Sequence, residues 1–232
     1  MSTSIPLVGI SSMATRQLLA DLAPLCAPAG STLRFESVGG VDAARRVAEG
    51  ETFDLVVLAA DAMDKLMAAG HLQPGSLRPL VDSPMAIAAR EGTPAPEVGS
   101  EAALREAVLQ ASRIGYSTGP SGVALMALFE RWGVMETLRA RLVQARAGVP
   151  VASLVASGEA SLGFQQLSEL MHQPGVQLLG EMPAGVKITT TFSGAVAARS
   201  AQPGLAAQAL QALAGPAAEA VAVRLGLQPR QG

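Results

Sequence analysis

The chain has 232 residues, 49% of them apolar and 16% charged, with a formal net charge of -2. That length builds one large domain or two small ones around a sizeable core. Its 17 basic and 19 acidic residues form no basic stripe, which excludes an electrostatic footprint for nucleic acid.

Read from Met1, the chain shows no basic n-region, long apolar h-region or small-residue cleavage site. The expectation is a cytoplasmic protein, or a periplasmic one if Met1 replaces a removed signal peptide. No apolar run approaches the length of a membrane span. Leu7–Ile10, Thr32–Val38 and Leu55–Ala59 read as short strands rich in Val, Leu and Ile. Ala14–Leu25, Val41–Ala48 and Met63–Ala69 between and after them read as helices. This β-α-β-α order predicts a parallel sheet with right-handed crossovers. The lone Cys26 cannot form an internal disulfide and is expected to be a small buried core residue.

Leu77–Ala89 reads as an extended apolar segment interrupted at Asp82-Ser83-Pro84. Pro84 has no amide hydrogen, so it suits an edge or a crossing point. Thr93–Ser100 is a loop, and Ser100 caps a helix over Glu101–Ala111. A second β-α series follows: strand Arg113–Tyr116, helix Pro120–Trp132, helix Pro150–Ser157, strand Ala160–Phe164, helix Gln166–Met171 and strand Val176–Leu179. Lys187–Ala198 reads as a long strand, and Leu205–Leu213 and Ala217–Leu225 as terminal helices.

Ligand chemistry concentrates where strands run into helices. There, free amides and the positive end of the helix dipole suit an anion. Three junctions stand out: Gly9-Ile10-Ser11-Ser12-Met13, Ser37-Val38-Gly39-Gly40-Val41-Asp42, and Gly115 to Gly122. The third holds Tyr116, Ser117, Thr118, Ser121 and Gly122, the densest set of hydroxyls and glycines in the chain. All three also read as ordinary helix starts. Phosphate P-loop and H-E-x-x-H patterns are absent, and His71 and His172 sit in no metal-ligand spacing. Neither a metal nor a cofactor is expected.

The runs Ile114 to Gly122, Leu128 to Gly133 and Val155 to Leu170 resemble molybdate-binding-like members of the type II periplasmic solute-binding protein family. The resemblance implies an α/β fold of two lobes, each a mixed, mainly parallel sheet flanked by helices. Lobe one would take 1–82 plus 192–232 and lobe two 83–191. Two hinge crossings would fall near Asp82–Met85 and Thr189–Ser193. A small anion would sit in the interlobe cleft, held by Ser11, Ser12, Gly39, Gly40, Tyr116, Ser117, Thr118, Ser121, Gly122, Gln165 and Gln166. Molybdate receptors carry a hydroxyl where this chain has Gly39-Gly40, and a tyrosine where it has Gln165 or Gln166. These departures point toward organic acids, and a related group in the family includes aconitate isomerase.

Three roles follow as expectations. One is a monomeric receptor for an oxyanion or carboxylate, serving an ABC permease if exported. Another is an isomerase performing an allylic proton shift on a di- or tricarboxylic acid. The last is a sensory domain, which would need a separate DNA-binding partner. An isomerase needs a base, and Glu36, Asp61, Asp82, Tyr116 and Lys187 are the candidates. Asp61 is expected to cap its own helix and Lys187 to be solvated.

Overall fold

The computed structural model describes residues 4–146 and 148–230. The chain divides into two compact units, one running through Asp82 and resuming at Thr191, the other Ser83–Thr190. It therefore passes between them twice.

The first unit opens with strand β1 (Ile5–Ser12), a short 3-10 turn, and helix α1 (Arg16–Cys26). The helix was expected to begin at Ala14. Instead Ser12 Oγ accepts from the Ala14 amide at 3.2 Å and Thr15 Oγ1 donates to the Ser12 carbonyl at 3.1 Å, holding Met13–Thr15 in the tighter turn. Helix α1 buries Leu18, Leu19, Leu22, Ala23 and Cys26 on one face, so Cys26 is the core residue the sequence predicts. Strand β2 (Ser31–Val38), helix α2 (Gly40–Ala48), strand β3 (Leu55–Ala59) and helix α3 (Ala60–Ala68) follow. Strands β2 and β3 both lie parallel to β1. All five residues of β3 are buried, because both faces of the sheet are covered. Leu55, Val57 and Ala59 pack with α1, while Val56 and Leu58 pack with α2 and α3.

Strand β4 (Arg78–Arg90) runs from the first unit into the second. Pro84 lies two residues past the division, as its missing donor suggests. The second unit continues with helix α4 (Glu101–Gln110), strand β5 (Ile114–Tyr116) and helix α5 (Pro120–Arg131). Helix α6 (Met135–Leu138), strand β6 (Leu142–Gln144), helix α7 (Val151–Ala156), strand β7 (Leu162–Gln166), helix α8 (Leu167–Leu170) and strand β8 (Val176–Glu181) complete it. Strand β5 lies parallel to β6 and β7, and β4 pairs antiparallel with β7 and β8. Met85, Ile87, Ile114, Leu125, Phe129, Leu162 and Phe164 form the main core of this unit. Phe129 meets Phe164 edge to face.

Strand β9 (Thr189–Val196) returns the chain to the first unit and pairs antiparallel with β3. Helices α9 (Pro203–Leu213) and α10 (Pro216–Arg224) then cover α1's side of the sheet. Strand β10 (Gln228–Pro229) pairs with Val81 and Asp82 of β4. Each unit is thus a mixed sheet with flanking helices, the architecture expected from the sequence. Among the described residues, no helix is long and apolar enough to cross a membrane. Nor does any group of three or more His, Cys, Asp or Glu side chains stand where it could hold a metal ion.

Candidate anion-binding site

In each unit the parallel strands deliver their carboxyl ends to one edge of the sheet. In the first unit β1 and β2 end together, with Ser11 opposite Ser37 and Ser12 opposite Val38. Ser11 Oγ and Ser37 Oγ share a hydrogen bond of 2.8 Å, and Ser11 is fully buried. Ser12 is buried as well, and its hydroxyl caps the 3-10 turn. Gly39 is the N-cap of α2 with no side chain to offer, so the first amides of α2 meet no capping oxygen of its own. A Cβ on Gly40 would come within 3.6 Å of Ser12 Cβ, which places the start of α2 beside the end of β1. The fold therefore brings Ser11, Ser12, Gly39 and Gly40 together, with Ser37 added. Asp42, in the first turn of α2, is paired with Arg45 at 2.5 Å. Gly9, expected in the turn, is mid-strand instead. The Phe35 ring lies over it, and a Cβ there would sit 2.2 Å from a ring carbon.

In the second unit β6, β5 and β7 deliver α7, α5 and α8 to a common edge. Tyr116 stands opposite Gln144 on one side and Phe164 on the other. After Tyr116 the chain folds back over the first turn of α5. Ser117 Oγ and Ser121 Oγ lie 3.1 Å apart, and Gly119 caps the helix without a side-chain bond. A Cβ on Gly122 would lie 1.9 Å from the Ser117 carbonyl oxygen, so only glycine admits this loop. Ser121 and Gly122 are buried, Tyr116 and Ser117 are half-buried, and Thr118 is exposed.

Gln165 and Gln166 end strand β7, whereas the sequence placed Gln166 at a helix start. The helix that follows is one turn long, because Gln166 continues the ladder opposite Met85. The two glutamines differ in what they have left to give. Gln165 Oε1 accepts from the Val151 amide at 2.8 Å, and its Nε2 donates to Glu169 Oε1 at 2.8 Å. Both polar atoms are engaged. Gln166 Nε2 donates to Thr190 Oγ1 at 2.8 Å, but its Oε1 is buried without a partner. A second orphan among the described residues is Ser83 Oγ, on β4 just past the division.

Of the candidate bases, only Tyr116 ends a parallel strand at a carboxyl edge. Glu36 is tied to Arg46 at 2.5 Å, and that hydrogen bond holds its carboxyl below the usual range. Asp61 is exposed in the first turn of α3. It is not the cap expected: Ala59 occupies that position and no side-chain cap bond forms. Asp82 accepts from Thr191 Oγ1 at 2.6 Å and Arg230 Nε at 2.8 Å. Lys187 is exposed, 3.6 Å from Glu181, as its expected solvation implies. Glu169 received no role from sequence reasoning. Burial pushes its carboxyl up to about 7, with the Gln165 hydrogen bond acting in the opposite direction. Its signal was the four-residue step from Gln165, which a strand-then-helix turn makes a contact.

Comparison with known proteins bears on the family and the fold. Residues 7–228 match the family model described as bacterial extracellular solute-binding protein. The chain is 37% identical over 187 residues to an aconitate isomerase from a Pseudomonas species, covering 79% of this chain and 70% of that one. The periplasmic molybdate-binding protein of Azotobacter vinelandii superposes with a TM-score of 0.78 at 20% identity, over 95% of this chain and 98% of that one. A tungstate-binding protein from Desulfovibrio alaskensis superposes at 0.70 with 18% identity, over 98% and 99%. This chain belongs to the bacterial extracellular solute-binding protein family.

Proposed function

We propose that the chain binds a small carboxylate-bearing anion through neutral donors at the carboxyl edges of both units. Ser11, Ser12, Gly39 and Gly40 act from the first unit, and Tyr116, Ser117, Thr118, Ser121, Gly122 and Gln166 from the second. Gln165 belongs to the same site as a support for its neighbours. The observation that carries this reading is the orphaned Gln166 Oε1, on a residue 4% exposed at the end of β7, beside the carboxyl end of β5 that leads into α5. A buried polar atom without a partner costs about 1–3 kcal/mol. Turning the amide over keeps the Thr190 bond, since that hydroxyl donates as well as accepts, and leaves an N–H for an anion. Each neutral hydrogen bond of this kind contributes about 0.5–1.5 kcal/mol net, so several are needed. In a receptor role the partner is an ABC permease, as the family implies.

A second reading has its own support. The relative named aconitate isomerase shares more than a third of the aligned residues. On that reading the bound carboxylate undergoes an allylic proton shift, and aconitate is the ligand to test first. Proton NMR of cis- and trans-aconitate with the purified chain in heavy water separates the two. Solvent deuterium entering the substrate during interconversion establishes the isomerase. A thermal shift with aconitate and no exchange establishes the receptor. No shift with aconitate, sulfate or molybdate, and no exchange, removes both.

A further inference from the structure

The carboxyl edge of the second unit contains a short relay that neither role requires by itself. The Val151 amide, first of α7, donates to Gln165 Oε1, and Gln165 Nε2 donates to Glu169 Oε1, both at 2.8 Å. The relay joins the elements that follow β6 and β7. It lies one residue from Gln166, and β7 is the direct neighbour of the strand that carries Tyr116. Glu169 itself lies in α8, one turn beyond the end of β7.

We propose that Glu169 is a positioning residue of the anion site. It anchors Gln165 across the first turn of α7 and, by holding or releasing one proton at that edge, ties anion affinity to pH. The proposal rests on the anion-binding reading above. Its electrostatic basis is simple. An anionic guest and an ionised Glu169 repel, so the guest binds the protonated form better and takes up a proton on binding. Strand β4, which packs on α7 and α8 through Ala86 and Ala88, carries Arg90 at its far end, beside Gly158 past the end of α7. Helix α7 and strand β7 carry no titratable side chain. Strand β8 carries only Glu181, which pairs with Lys187. The exposed His172 lies just beyond α8 along the chain. Burial places the titration of Glu169 near neutrality, at about 7.

Calorimetric titration of trans-aconitate, with sulfate and molybdate as second and third probes, tests this at several pH values between about 6.5 and 8.5. The native chain is expected to lose roughly five-fold or more in affinity across that range. Glu169→Gln keeps an acceptor for Gln165, so it is expected to match the native affinity at the low end and stay flat. Repeating the native titration near pH 7.5 in buffers of different ionisation heat is expected to show net proton uptake. Parallel pH profiles for the native and Glu169→Gln chains overturn the proposal and leave the anion site standing. Absence of proton uptake by the native chain overturns it without recourse to any variant. Failure of all three probes to bind at any pH overturns the anion site itself, and the proposal with it.

Discussion

Burial of Glu169 acts on stability as well as on binding. Its carboxyl moves from an ordinary value of 4.5 to about 7, so between those values the folded chain holds a proton that the unfolded chain has released. Stability therefore falls as pH rises through that window, and the loss is complete above it. Glu169→Gln removes the charge and keeps the shape. It is expected to gain roughly 1–3 kcal/mol over the native chain at pH 8 and nothing near pH 4 in urea unfolding. A constant offset at both pH values would contradict the assignment. Gly122 offers a steric counterpart. Gly122→Ala drives a methyl onto the Ser117 carbonyl, and overpacking of this kind costs about 1–3 kcal/mol. The density of Gly and Ser from 115 to 122 was legible as a loop worth attention. That Ser117 folds over Gly122, or that Gln165 is spent on Val151 and Glu169, was not. Those contacts depend on which strands become neighbours.

At the scale of elements, periodicity carried most strands and helices, because fully buried strands such as β3 are unbroken apolar runs. It failed at α6, β6 and β10. Strand β6 is three residues long and follows an arginine-rich turn. Its arginine, Arg141, donates to the carbonyls of Leu109 and Ala111 and so finishes α4, a contact thirty residues back in the chain. Strand β10 exists only because β4 offers it an edge. Asp54 shows how one side chain completes an element. Its backbone pairs with Val8, and its carboxylate accepts from the Val8 amide at 2.9 Å and from Ser200 Oγ at 2.7 Å. Asp54→Ala leaves that strand amide without its partner. Thermal and urea unfolding are expected to show a loss of about 1–3 kcal/mol, and an unchanged midpoint would argue against this role.

At the scale of the whole molecule, two mixed sheets joined by β4 and β9 make a scaffold shared with molybdate- and tungstate-binding proteins at 18–20% identity. Likeness that distant transfers the fold and leaves the guest open. On the reading proposed above, the guest is decided by a few neutral donors on two sheet edges, and by whether a carboxyl among them carries a proton. The most direct test is calorimetric titration of trans-aconitate into the native chain, Ser12→Ala and Gly122→Ala, with folding checked by circular dichroism. Saturable binding by the native chain, and roughly five-fold or weaker binding by each variant, is the predicted result. No saturation with the native chain, or native affinity in both variants, would contradict it.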